Sequence, residues 1–236
     1  MNHKELAHDR LADHYDEVIN HYDTNRRIEV LIDEFWAGVD LHGKLVLDAG
    51  CGAGHGTKRL LERGARVIAF DLGMNMVKTT RRKYPCLPTV GSVTCLPFAE
   101  NTFQFIFSTE VIEHTPDPLL AIQEMLRVLK PDGHLVLSTP NWLWQLPVRA
   151  ASMLRLRPFD GLENFVKPKE LSAAAKQAGG IIQQHRGIHL LPFQLTFLQA
   201  LNRRMDDFGA VLLPFMINQC IHVIKASGKE PPHSLR

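Results

Sequence analysis

Residues 44–57 read KLVLDAGCGAGHGT, an apolar run that ends on Asp48 and is followed by glycine at every second position: Gly50, Gly52, Gly54 and Gly56. Glycine has no Cβ and tolerates positive φ, so such a loop turns sharply and lets a ligand approach its backbone. The stretch predicts a buried strand over 45–48, a tight loop, and a helix whose first turn begins near His55. In an open α/β sheet, that junction is where nucleotide-like ligands are seated.

The rest of the chain alternates strands and helices around this unit. A strand over 66–70 ends on Asp71 and precedes a helix over 74–83; a weak strand lies within 87–90; a clearer one over 103–107 ends at Ser108, Thr109 and Glu110. The next helix places Leu119, Ile122, Leu126 and Leu129 on one face and closes at Lys130-Pro131-Asp132-Gly133, which suits a type I turn. A fifth strand is expected over 134–139, then a helix over 169–178, a strand over 181–186, an apolar helical insertion over 192–216 and a final strand over 217–226. Short runs rich in β-branched residues between helices require a parallel sheet covered on both faces.

Ahead of the sheet, Tyr15, Val18, Ile19 and Tyr22 mark one face of a first helix. Ile28, Leu31, Ile32 and Phe35 form the stripe of a second, which stops at Gly38. The organisation read from these patterns is an N-terminal helical cap over 1–43 and a main domain over 44–226, with cap or insertion elements at 142–216. A flexible, polar tail follows over 227–236.

Composition narrows the partners. At 236 residues and 45% hydrophobic, the chain can bury one good core. A net charge of +2 and scattered basic residues give no nucleic-acid footprint. Cys51, Cys86, Cys95 and Cys220 lack paired metal spacing and fit a reducing, cytoplasmic setting. The opening MNHKELAHDR has no apolar segment of a secretory signal, and no run reaches the roughly 18 apolar residues of an integral membrane span.

Two ligand classes compete for the loop. Nicotinamide cofactors use G-x-G-x-x-G, but the Gly50–Gly52 frame would need glycine at His55 and the Gly52–Gly54 frame would need it at Thr57. Asp48 is also unsuited to a pyrophosphate and well suited to a cation. A cationic, phosphate-free nucleoside meets both conditions, and S-adenosylmethionine is one. Asp71, 23 residues after Asp48, stands where an acid accepts hydrogen bonds from ribose hydroxyls.

The ensemble of D-x-G-x-G-x-G, the acid closing strand two, Leu96-Pro97-Phe98 before strand four, and VIEHTPDPLLAIQEMLRVLKPDGHLVLSTPN over 111–141 resembles the class I S-adenosylmethionine-dependent methyltransferases. Within them it is most similar to the ubiquinone-biosynthesis O-methyltransferases, through Glu110, Glu113, His114 and Pro116-Asp117-Pro118, and through FVKPKEL over 165–171. The resemblance implies a Rossmann-like, doubly wound, mostly parallel seven-stranded sheet with an antiparallel last strand, preceded by a helical insertion. It implies S-adenosylmethionine across the carboxyl ends of strands one, two and four, S-adenosylhomocysteine as product, and a small-molecule acceptor above it.

The cofactor-binding set expected from sequence and resemblance together is Tyr22, Arg27 (or Arg26), Asp48, Gly50, Cys51, Gly52, Asp71, Leu72, Met76, Ser92, Val93 and Thr109. Where relatives often carry an aspartate for the adenine amino group, Gly91 is followed here by Ser92. Adenine would then rest on the Val93 backbone and on apolar walls such as Leu72 and Leu96.

Methyl transfer to a hydroxyl requires alignment, exclusion of water and removal of one proton. Glu110, Glu113 and His114 fall at i, i+3 and i+4, one face of a helical turn, just after strand four. Three readings compete: the trio holds Mg²⁺, which polarises a catechol-type hydroxyl; His114 with Glu113 acts as general base; or both residues tie down the loop before Pro116. Tyr15 and Tyr22 would close over the cofactor or simply form a helix stripe. Trp142, Trp144, Arg149, Arg155 and Arg157 would cap the acceptor pocket, or make peripheral contact with lipid or a lipophilic substrate tail.

Overall fold

The computed structural model describes residues 9, 12, 14–153 and 161–227; Arg155, Arg157 and the tail beyond 227 lie outside them. One seven-stranded sheet forms the frame, from β1 (Leu45–Ala49), β2 (Arg66–Asp71), β3 (Leu87–Val90), β4 (Phe103–Thr109), β5 (Leu129–Pro140), β6 (Gly180–Ile188) and β7 (Asn218–Lys225). Their order is β3-β2-β1-β4-β5-β7-β6. The strands β3, β2, β1, β4 and β5 run parallel, while β7 is antiparallel to both β5 and β6. The Rossmann-like sheet with an antiparallel last strand is therefore present. Because the chain leaves β1 toward β2 on one side and later returns to β4 on the other, a crevice opens at the carboxyl ends of β1 and β4.

Strand alternation sorts the core into two layers. Leu47, Ala49 and Ile106 face a layer completed by Ile122, Met125 and Leu126 of α5 (Pro118–Val128) and by Leu171 and Ala174 of α7 (Pro168–Gln177). Val46, Phe105 and Phe107 face the other, with Leu60 of α3 (His55–Glu62), Val77 of α4 (Met74–Lys83) and Trp36. Helix α5 starts cleanly because the Asp117 side chain accepts the backbone N–H groups of Leu119 and Leu120, with proline in the first turn.

Several local expectations change. The first expected helix breaks in two, α1 (Tyr15–Val18) and α2 (His21–Ile28), because the Asn20 side chain accepts the Asp23 N–H at 3.0 Å and starts a new helix. The stripe of the second expected helix is carried by a continuation of α2, a π-helical stretch over Glu29–Glu34 in which Leu31 and Ile32 are buried. Helix α5 ends at Val128, Leu119 is exposed, and Leu129 already pairs with Phe103. The expected turn at 130–133 is absorbed into β5 as an irregularity in register, with Asp132 at φ 57°. The insertion is helical but fragmented: α8 (Gln199–Met205) and α9 (Gly209–Leu212) are flanked by 3-10 turns. An unanticipated helix, α6 (Gln145–Met153), follows β5.

Phe103 is fully buried at the amino end of β4, edge-on to Phe98 with ring centres 4.9 Å apart, far along the strand from the crevice. Phe103→Ala is expected to cost about 3–5 kcal/mol. Urea unfolding should read that as a lowered midpoint, with ligand affinity of the folded fraction unchanged.

Candidate active site

The loop after β1 folds back on β2: the Gly50 and Cys51 N–H groups both donate to the Phe70 carbonyl, at 2.7 and 3.0 Å, and the Gly52 N–H donates to Asp71 Oδ2 at 3.0 Å. Gly50 has φ 87°, and a Cβ there would lie 2.1 Å from Val111 Cγ2, so no other residue fits without displacing β4's continuation. Gly52, at φ 49°, faces open space: a Cβ would meet nothing within 4 Å. Beyond this loop lies a cavity of about 280 Å³, near the lower end of typical small-molecule sites.

Its lining brings together most of the expected cofactor set: Arg27, Asp48, Gly50, Cys51, Gly52, Asp71, Leu72, Met76, Ser92, Val93 and Thr109. His114 and Glu110 line it too. Tyr22 does not; its hydroxyl donates to the Gln199 carbonyl at 3.0 Å, and its ring packs 5.4 Å from that of His189. The break at Asn20 sends Tyr15 into the cavity and Tyr22 away from it. Arg26 is committed elsewhere, to Glu34 and Asp206, which leaves Arg27 as the arginine at the site. Leu96 sits in the core rather than the cavity wall. Trp142, Trp144 and Arg149 line no part of it, so they do not cap this cavity.

Charge is the most informative property of the lining. Among the described lining residues, the acids Asp9, Asp48, Asp71 and Glu110 face one permanently charged cation, Arg27. Asp48 is buried; its Oδ2 accepts the Thr57 hydroxyl at 2.6 Å, and its Oδ1 has no partner. Burial pushes its carboxyl up to about 7, against the opposing Thr57 hydrogen bond and with help from the Asp71 charge. Such an orphaned acceptor suits an ammonium donor. Asp71 accepts the Gly52 and Gly73 N–H groups on separate oxygens, leaving each a lone pair for a hydroxyl donor. Burial raises it too, against those two N–H groups. Arg27 Nη2 donates to Asp23 Oδ2 at 2.7 Å and Nη1 to Thr109 Oγ1 at 3.2 Å, while its buried Nε has no partner. Cation-accepting acids, a ribose-type acid and a guanidinium for a carboxylate match the functional groups of S-adenosylmethionine.

The trio after β4 does not form a single helical turn. Glu110 takes a left-handed backbone, φ 54°, and Ile112–His114 form a 3-10 turn. Glu110 Oε1 accepts the Ser138 hydroxyl at 3.0 Å and lies 3.6 Å from Arg27 Nη1. Burial and the neighbouring Glu113 charge push its carboxyl above the ordinary range, opposed by Arg27. Glu113 is 1% exposed, absent from the cavity wall, with Oε2 accepting the Thr139 hydroxyl at 2.9 Å. Burial raises it to about 7. Glu113 Oε1 lies 3.8 Å from His114 Nε2. Among the described residues no group of three or more His, Cys, Asp or Glu side chains is arranged to hold a metal ion, so the donors expected to share Mg²⁺ are not gathered. His114 Nδ1 lies 2.7 Å from the Leu162 carbonyl. A carbonyl only accepts, so Nδ1 carries the proton and Nε2 is left as the acceptor of the ring.

Sequence reasoning missed Asp9, Asn20, Thr24 and Val111 in the lining. Asp9 caps α4 from 66 residues away, accepting the Asn75 N–H at 2.7 Å, and no local pattern announces that. Thr24 had a signal: it lies three residues before Arg27, on the same helical face.

Residues 47–137 match a family model described as a methyltransferase domain. A ubiquinone biosynthesis O-methyltransferase from Xanthomonas oryzae pv. oryzae is 37% identical over 162 residues, covering 63% of this chain and 67% of that protein. One from Vibrio cholerae serotype O1 is 30% identical over 176 residues, 66% of this chain and 69% of the relative. The crystal structure of an S-adenosylmethionine-dependent methyltransferase from Mesorhizobium loti superposes with a TM-score of 0.66 at 16% identity, over 86% of this chain and all of that one.

The buried Asp48 makes stability depend on pH. Its folded value, about 7, exceeds the ordinary 3.8, so its contribution is fully present below about pH 4 and is lost as pH rises through 7. Asp48→Asn should therefore melt roughly 10 °C above the parent at pH 8 without ligand, with the gap closing toward pH 4. A pH-independent gap in thermal melts would show that Asp48 does not titrate in this range.

Proposed function

Because the chain belongs to the class I S-adenosylmethionine-dependent methyltransferases, we propose that it methylates a hydroxyl oxygen on a small, ring-bearing acceptor of the catechol or quinol type. The observation that carries this reading is the His114 imidazole, held through Nδ1 by the Leu162 carbonyl and lining the cavity beside Glu113. When bound, S-adenosylmethionine supplies an electrophilic methyl on a sulfonium, so that the oxygen–carbon bond forms as the carbon–sulfur bond breaks. Asp48 would receive the ammonium, Arg27 the carboxylate and Asp71 the ribose hydroxyls, and Leu72, Met76, Ser92 and Val93 of the same lining would hold the adenine. His114 Nε2 takes the acceptor's proton, and Glu113 is placed to stabilise the imidazolium that results. The names of the O-methyltransferase relatives support oxygen as the acceptor atom.

The acceptor is lipophilic and is met at a membrane surface. No helix among the described residues is long and apolar enough to cross a membrane. Yet Trp142, Leu146, Phe197, Phe208, Val211 and Phe215 are exposed, with Arg149 exposed on the same helix as Leu146 and Arg204 exposed on α8 between the Phe197 and Phe208 turns. The Trp144 Nε1–H donates to the Phe215 carbonyl at 3.0 Å and ties the two apolar stretches together. An apolar face with basic residues suits anionic lipid. The protein should float with vesicles containing phosphatidylglycerol and stay behind with phosphatidylcholine alone. Phe197→Ser together with Val211→Ser should abolish flotation without lowering turnover of a water-soluble catechol.

A screen of catechols with labelled donor tests the reaction itself. His114→Ala should lower kcat about 10²–10⁴-fold while leaving cofactor affinity within twofold. Turnover should survive EDTA; loss of activity in EDTA with full retention in His114→Ala would assign the proton step to a cation instead.

A further inference from the structure

We propose that Asp23, seated on Asn218 and His189, is a positioning residue that holds the Arg27 guanidinium open for the ligand's carboxylate; the inference rests on the cofactor assignment above. Asp23 and Arg27 are four residues apart on α2, one face of the helix, and both are buried. Asp23 Oδ2 takes Arg27 Nη2 at 2.7 Å, while its Oδ1 accepts Asn218 Nδ2 at 2.9 Å and lies 3.2 Å from His189 Nε2. The carboxylate is thus hydrogen-bonded from behind by the first residue of β7 and lies close to the ring of a residue just after β6.

His189 is itself fixed. It has a left-handed backbone, φ 60°, its N–H donates to Asp206 Oδ1 at 2.8 Å, and its ring is fully buried between those of Tyr22 and Phe193. A bulky residue in that conformation is held there by its surroundings. Burial alone would raise the Asp23 carboxyl, but the Arg27 charge and His189 outweigh it and keep it below its ordinary value. Asp23 is therefore charged, and it neutralises Arg27 before any ligand arrives.

Arg27 has an alternative partner on the opposite side. Glu110 Oε1 lies 3.6 Å from Nη1 and borders the cavity. A long side chain with one buried anion behind it and another in front is positioned by whichever is more firmly held. Asp23 has the Asn218 amide besides the arginine and lies against the buried His189 ring, whereas Glu110 has the Ser138 hydroxyl and is drawn toward its neutral form by burial. So the fork stays back, hydrogen-bonded to Asp23 and Thr109, with Nε unpartnered. Without Asp23, the guanidinium would swing onto Glu110 and fill the place of the incoming carboxylate.

The discriminating probe is a pair of ligands that differ only in the amino-acid end: S-adenosylhomocysteine and 5′-methylthioadenosine, which lacks the carboxylate and ammonium. Calorimetric titration of Asp23→Asn should show S-adenosylhomocysteine about tenfold weaker and methylthioadenosine within twofold of the parent. Asn218→Ala, which removes one clamp and leaves the charge on α2, should shift the same ratio about threefold, and it decides the matter if Asp23→Asn does not fold. Adding Arg27→Ala to Asp23→Asn should cost no more than Arg27→Ala alone. Equal loss of both ligands, or no change in either, would overturn the positioning role. If the parent protein binds neither ligand, it is the cofactor assignment that fails.

Discussion

The carboxyl edge of the sheet is shaped by one fold-back, in which the backbone of Gly50, Cys51 and Gly52 is hydrogen-bonded to the end of β2. That turn consumes the N–H groups that a phosphate would otherwise need, and it sets Asp48 beneath the loop with one oxygen unsatisfied. Two acids, Asp48 and Asp71, are thereby fixed around a surface with no side chain on Gly52. The site is predisposed toward a ligand that brings positive charge and hydroxyl donors.

Electrostatics then distributes the work. Desolvation pushes Asp48, Asp71 and Glu110 on the cavity wall, and Glu113 outside it, toward their neutral forms, so the cavity by itself is less anionic than its composition suggests. Positive charge brought close to the acids on the wall would favour their charged forms. Arg27 is the exception: Asp23 and Glu110 outweigh its burial and raise its affinity for the proton. It is ready for a carboxylate at any physiological pH.

Much of this was legible in the chain because the signals are local. The glycine spacing, the acids closing β1 and β2, and the alternation of strands required only nearest-neighbour sterics and burial. The errors came where a local polar group overrode a periodic pattern. Asn20 capped a new helix and split the Tyr15–Tyr22 stripe, and Glu110 adopted a left-handed backbone that unwound the expected turn of Glu110, Glu113 and His114. The long-range ties could not be read at all. Asp9 on α4, and Asn218 and His189 on Asp23, join residues 66 to 195 positions apart, and no periodicity encodes such pairings.

Strand order also bears on the timing of assembly. β7 lies between β5 and β6 in the sheet yet is the last strand in the chain. While the polypeptide emerges from the ribosome, β6 has no neighbour to pair with, and β5 keeps an open edge until β7 inserts between them. Asn218, which steadies Asp23, arrives with that strand. The pocket behind Arg27 is therefore complete only once β7 has entered the sheet between two strands that precede it in the chain.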